Sequence, residues 1–169
     1  MTAAAGSVVE RAWAVLDAVP DPEVPAVSVR DLGIVRDVIA DVRGGLEIVL
    51  TPTYSGCPAT EAIADDVRAA IAAAGLGEAR VTLRRAPAWT TDWITSDGRR
   101  KLAAYGIAPP GPAAQTGEAP LRFAAPLVVP CPRCASRRTE RLSAFGSTAC
   151  KALHRCLACG EPFEYFKPI

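Results

Sequence analysis

The sequence predicts an α+β protein: a small sheet domain with helices on one face, then a C-terminal zinc-ribbon module. Three observations predict it. Apolar residues recur at helical and strand spacings in the order α-β-β-α-β-α. A Pro-, Ala- and Gly-rich stretch then breaks the pattern from Ala108 to Pro126. Two C-x-x-C pairs lie beyond it. The expected organisation is therefore a domain over 1–107, a linker over 108–126 and a four-cysteine ribbon over 127–169.

The first helix starts at Ser7-Val8-Val9-Glu10, a capping-box pattern. Val8, Ala12, Val15 and Val19 then follow at helical spacing. Pro20 ends the helix, and Asp21-Pro22-Glu23-Val24-Pro25 reads as a rigid loop. Ile34 to Val42 is rich in β-branched residues. Gly44-Gly45 and the alternating Leu46, Ile48 and Leu50 complete a hairpin. A second helix presents Ile63, Val67, Ile71 and Ala74 on one face, with Gly75 as its stop. Arg80 to Arg85 is the third strand. Trp89 and Trp93 precede a shorter helix containing Leu102 and Tyr105.

Half of the 169 residues are hydrophobic and 22% are charged, the balance of a globular chain rather than a disordered one. No apolar run is long enough to span a bilayer. Met1 to Ser7 lacks the basic start and apolar stretch of a signal peptide. The expected location is the cytoplasm, where close-set cysteines point to metal or redox chemistry rather than disulfides. Residues 1–107 carry 11 basic and 14 acidic side chains, whereas residues 108–169 carry 8 and 4. Four thiolates add −4 and a divalent ion adds +2, which would bring that tail from +4 to about +2. No basic stripe of the kind that binds nucleic acid is present, so neither nucleic acid nor a membrane is an expected partner.

Cys131-Pro132-Arg133-Cys134 and Cys156-Leu157-Ala158-Cys159 are separated by 21 residues. Each pair presents two sulfurs from one tight turn, and together they supply the four ligands of a tetrahedral ion. The expected strands are Arg137 to Ser143, Ala149 to Arg155 and Phe163 to Phe166, with Phe145-Gly146-Ser147 as the intervening turn. So short a module buries little core, and a metal must supply much of its stability. Structural zinc is the leading expectation. An iron–sulfur cluster on the same thiolates, or two redox pairs, are the alternatives. Cys150 and His154 are possible secondary residues. In an extended strand they share a face with Cys156, but Cys150 would lie about 20 Å along it, too far to share the ion. Four thiolates already complete the site, so His154 reads as half-buried or supporting rather than ligating.

Cys57 precedes Pro58 and the second helix. Proline suits a first helical turn, which puts Cys57 at or near the N-cap, where open amides favour a thiolate. The competing reading is a small buried hydrophobe.

Asp21-Pro22-Glu23-Val24-Pro25, Asp31-Leu32-Gly33-Ile34-Val35 and Thr51 to Ala59 resemble the iron–sulfur-assembly domain of SufT and its relatives. Trp93-Ile94-Thr95, Gly98-Arg99 and Gly106-Ile107-Ala108-Pro109 extend the resemblance. Phe145 to Leu153, between the cysteine pairs, resembles the PaaD (PaaJ) family. The resemblance implies an accessory or maturation factor of the multicomponent phenylacetyl-CoA epoxidase in aerobic phenylacetate degradation. Its partners would be subunits of that complex or its reductase. It implies no catalysis by this chain, and it places the family's key cysteine at Cys57, with transient iron or an iron–sulfur cluster as cargo. A structural adaptor and an iron–sulfur electron carrier are the alternative roles. The chain has neither the paired Glu-x-x-His motifs of a di-iron site nor a dinucleotide-binding glycine fingerprint.

Overall fold

A computed structural model describes residues 7–42, 44–54, 56–112 and 128–169. The chain divides into two compact units. One comprises Met1–Trp89 and Trp93–Gly98; the other comprises Thr90–Asp92 and Arg99–Ile169. Residues 113–126 of the stretch expected as a linker, and the expected first residue of the ribbon, 127, lie outside the described residues.

In the first unit, α1 (Val8–Leu16) begins as its sequence dictates. Ser7 Oγ accepts from the Glu10 amide at 3.2 Å, and Glu10 accepts from the Ser7 amide at 2.7 Å. Strands β1 (Val35–Ala40) and β2 (Leu46–Leu50) form the expected antiparallel hairpin. Helix α2 (Ala59–Ala73) then crosses over to β3 (Ala79–Leu83), which runs parallel to β2. The sheet order is β1-β2-β3. Central β2 is the apolar spine: Leu46, Ile48, Val49 and Leu50 are all buried. Ile63, Val67 and Ile71 of α2 are buried at one-turn intervals, as the apolar period requires. α2 stops in a Schellman cap. The Leu76 amide reaches the Ile71 carbonyl and the Gly75 amide reaches that of Ala72.

The acidic motifs are structural fasteners. Asp21 is buried, and its carboxylate accepts from the amides of Glu23 (3.0 Å) and Val24 (2.8 Å), which fixes the proline-rich loop. Asp31 and Ser28 exchange side-chain-to-amide bonds of 3.0 Å. The Asp31 carbonyl also accepts the Thr95 amide at 2.9 Å. Gly33, at φ +68°, lies under Trp93: a Cβ there would stand 2.6 Å from the Trp93 carbonyl oxygen. Trp89 donates its indole N–H to the Leu32 carbonyl at 2.9 Å. A bulge at Arg36 interrupts the β1–β2 register and sets its guanidinium over the Trp93 ring, 3.6 Å from the centroid.

In the second unit, most of α3 (Ser96–Tyr105) leads into a two-residue strand, β4 (Ile107–Ala108). The other strands are β5 (Thr139–Ser143), β6 (Lys151–Cys156) and β7 (Pro162–Phe166), in the order β4-β7-β6-β5. β5-β6-β7 is antiparallel, and β4 adds to β7 in parallel. Sequence reading assigned 99–107 to the first domain and missed β4, whose two residues are too few to show a period. Arg99 ties this segment together by donating to the carbonyls of Pro110 (2.6 Å) and Thr91 (2.8 Å). The Thr91 amide donates to the Ile169 carbonyl at 3.1 Å. Among the described residues, no helix is long and apolar enough to cross a membrane.

Gly33 and Gly75 share φ +68°, but nothing lies within 4 Å of a Cβ built at Gly75. Gly75→Ala should therefore cost only about 1 kcal/mol of left-handed strain. Gly33→Ala adds a clash with Trp93 and should cost about 2 kcal/mol or more. Urea unfolding of the two variants checks the difference; equal losses would mean Trp93 yields freely.

Candidate metal centre and cysteine turn

Each C-x-x-C knuckle is built by backbone bonds around its first cysteine. In the first, the Cys131 amide donates to the Ser136 carbonyl (3.0 Å) and the Ala135 amide donates to the Cys131 carbonyl (2.9 Å). In the second, the Cys156 amide donates to the Glu161 carbonyl (2.9 Å) and the Gly160 amide to the Cys156 carbonyl (3.0 Å). The fifth residue of each turn is left-handed: Ala135 at φ 59° and Gly160 at φ 80°. Amides also point at sulfur, Arg133 N–H to Cys131 Sγ and Ala158 N–H to Cys156 Sγ, both at 3.4 Å.

The four sulfurs of Cys131, Cys134, Cys156 and Cys159 all lie within 4.8 Å of one another. Cys131 Sγ is 3.9 Å from Cys159 Sγ, and Cys134 Sγ is 3.6 Å from Cys156 Sγ. A tetrahedral zinc with sulfurs at about 2.3 Å requires about 3.8 Å between them. These separations exclude disulfide bonding, which needs about 2.05 Å. Cys131 and Cys156 are buried, whereas Cys134 and Cys159 are exposed. Proton affinities diverge within the cluster. Amide hydrogen bonds, first from Cys159 and then from Ala158, bring the Cys156 thiol down to about 6 against the cost of burial. The Ser136 amide acts to lower Cys134, but the neighbouring Cys156 sulfur and burial push it up to about 12. Four like-charged sulfurs at this spacing need a cation among them. The donor set fits a structural metal site.

The ribbon also holds a buried ion pair that sequence reading missed. Lys151, 2% exposed, places Nζ 2.8 Å from Glu164 Oε2. Glu164 Oε1 accepts the Ser147 amide at 2.5 Å. Burial acts to raise the Glu164 carboxyl, but the bonds from Lys151 and Ser147 hold it below the usual carboxylate value. The pair fastens the Phe145-Gly146-Ser147 turn to β7. Its signal was a lysine and a glutamate on the two strands that carry the apolar Ala152, Phe163 and Tyr165.

Cys150 is buried just before β6, with its sulfur 3.0 Å from Thr148 Oγ1. His154 stacks on Phe163 at a ring separation of 5.6 Å and meets Tyr165 edge-on. Burial, then the charge of Arg141, lowers its pKa. Neither residue is among the four clustered sulfurs. In the first unit, Pro58 is the N-cap of α2 and Cys57 stands one position earlier, half-buried. The Cys57 carbonyl accepts the Thr60 amide at 3.2 Å, and its own amide donates to the Tyr54 carbonyl at 3.3 Å. The loop opens at Thr51, whose buried Oγ1 has no hydrogen-bond partner among the described residues; nothing in its sequence context marked it.

Cys131→Ser or Cys159→Ser should lower the bound metal to near zero, measured by metal analysis after dialysis. Lys151→Met leaves the Glu164 carboxylate unpaired and should destabilise the ribbon by about 2 kcal/mol or more. Lys151→Met with Glu164→Leu should recover much of that loss in thermal unfolding, because no unpaired charge remains.

Comparison with known proteins agrees with both halves. Residues 10–83 match the family model described as iron–sulfur cluster assembly protein, and residues 116–167 match that of the PaaD zinc beta ribbon domain. The chain is 50% identical to a putative 1,2-phenylacetyl-CoA epoxidase subunit of Escherichia coli K12 over 161 residues, 95% of this chain and 93% of that one. It is 32% identical over 88 residues to an Fe-S protein maturation auxiliary factor of Porphyromonas gingivalis, covering 52% of this chain and 83% of the relative. A crystal structure of a DUF59 domain from Bacillus anthracis aligns with a TM-score of 0.53 at 30% identity, covering 57% of this chain and 92% of that domain. With an iron–sulfur-assembly domain ahead of a PaaD zinc β-ribbon, and half its residues shared along nearly the full length of the Escherichia coli protein, this chain belongs to the PaaD family.

Proposed function

We propose that this chain is an accessory factor of a phenylacetyl-CoA epoxidase and assists assembly of its iron or iron–sulfur centres. The observation that carries the reading is the near-full-length similarity to a protein named as a putative subunit of that epoxidase, joined to an iron–sulfur-assembly domain. Relatives of the first unit are named as maturation factors, which favours a non-catalytic role. Cys57 is the thiolate that handles the cargo. Its position supports this. It follows the carboxyl end of β2 and precedes α2 in a β-α-β crossover, the edge where open sheets of parallel strands bind ligands. It is half-buried and is not part of the four-sulfur cluster. Cys131, Cys134, Cys156 and Cys159 hold zinc, which folds the ribbon that docks the client protein. The family model matched by this region is a zinc ribbon, which favours zinc over a cluster.

Cys57→Ala separates this reading from that of a structural adaptor. The substitution removes one sulfur atom and should leave the melting temperature and zinc content nearly unchanged. Epoxidase co-expressed with the variant and purified without oxygen should contain less than about a tenth of the wild-type iron or cluster, with activity falling in parallel. Full iron loading and activity with alanine at position 57 would leave the adaptor role standing.

A further inference from the structure

The second unit contains a cavity of about 630 Å³ that neither the metal centre nor the Cys57 turn uses. Its wall includes Arg141 of β5, Ala152 and His154 of β6, Tyr165 of β7, and Lys167. Arg141 and His154 are direct cross-strand partners, as are Ala152 and Tyr165, so these four side chains share one face of the sheet. The register of β5 shifts immediately after Arg141, where Leu142 forms a bulge; such bulges re-aim the neighbouring side chain.

The charge at this cavity is unbalanced. The guanidinium of Arg141 has no ion pair or hydrogen bond among the described residues. Lys167 donates one bond to the Ala144 carbonyl at 3.1 Å and lies 4.6 Å from the centre of the Phe145 ring. That leaves two of its three donors for another partner. Glu140 also lines the cavity, but its carboxylate is engaged by the guanidinium of Arg155. His154 adds an unmet hydrogen-bonding atom to the wall, since Nδ1 has no partner among the described residues. Of the remaining wall, Thr139 donates its hydroxyl to the Val129 carbonyl at 2.7 Å, and Ala152, Pro168 and the Tyr165 ring are apolar. Two cations with spare donors, set against an apolar floor in a cavity of ligand size, make a site for an anion.

We propose that this cavity binds a small oxyanion, a carboxylate or a phosphate, between Arg141 and Lys167. Arg141 supplies the planar fork that pairs with two oxygens, and Lys167 supplies the point charge. The inference does not depend on Cys57 or on any role in centre assembly.

The test is a nitrogen-15 NMR titration of the full zinc-loaded chain at constant ionic strength. Sodium phosphate, sodium acetate and sodium chloride are the three arms. Saturable shifts confined to β5, β6 and β7 around Arg141, His154, Tyr165 and Lys167 are expected with phosphate or acetate and absent with chloride. The stronger arm identifies the head group. Arg141→Gln and Lys167→Gln should each weaken that binding about ten-fold or more, with zinc content unchanged. Shifts that are the same for all three salts and do not saturate would overturn the site. So would wild-type affinity in both variants. Should a variant fail to fold, the titration of the wild-type chain decides the question alone.

Discussion

The sulfurs of Cys131, Cys134, Cys156 and Cys159 lie within 4.8 Å of one another, and the two knuckles of the C-terminal ribbon close around them. Beside the sulfurs lies a buried apolar cluster of Ala108, Val129, Cys131, Cys156, Phe163 and Tyr165, two of which are themselves cysteines of the site. Leu102, Ile107, Ala152 and Phe166 are also buried in this unit. The sulfurs also oppose their own assembly. With one thiol brought down to about 6 and another pushed up to about 12, the cluster resists carrying four negative charges unaided. A divalent cation bound among them would remove that conflict and add its binding free energy to the stability of the ribbon. The remaining features of the ribbon are consistent with a fold of this kind. The left-handed residues Ala135 and Gly160 close the two knuckles. The Lys151–Glu164 pair fixes the turn at the far end of the strands, where the metal exerts no constraint.

The first unit is organised differently. Apolar β2 is its spine, and the β2-α2-β3 crossover packs α2 against the sheet. Its loops are held by carboxylates that accept backbone amides, Asp21 within its own turn and Asp31 with Ser28. Those bonds use the acidic residues of the motifs for positioning. What they leave accessible is the half-buried sulfur of Cys57, which stands one residue before the helix N-cap.

Much of this was legible in the sequence because it depends on local rules. The Ser7–Glu10 capping box, the Gly44-Gly45 hairpin, the one-turn spacing of Ile63, Val67 and Ile71, and the Gly75 stop all appear where the residues place them. The cysteine spacing named the four thiols that come together. What was not legible depends on distant partners. β4 exists only because β7 pairs with it, and two residues carry no period. Residues 99–107 group with the second unit, where Arg99 reaches the carbonyls of Thr91 and Pro110. Lys151 reads as a surface residue until Glu164, on the neighbouring strand, is brought beside it. Arg36 over Trp93 depends on a bulge that the β-branched pattern of β1 does not signal.

X-ray absorption at the zinc edge of the purified full chain tests the central claim most directly, because it reads the ligand atoms themselves. The account predicts one zinc per chain with four sulfur neighbours at about 2.3 Å and no nitrogen or oxygen shell. A mixed shell containing nitrogen would bring His154 or another residue into the site. Iron in place of zinc, with a short iron–iron distance, would contradict a structural ribbon and make this half of the chain a cluster carrier.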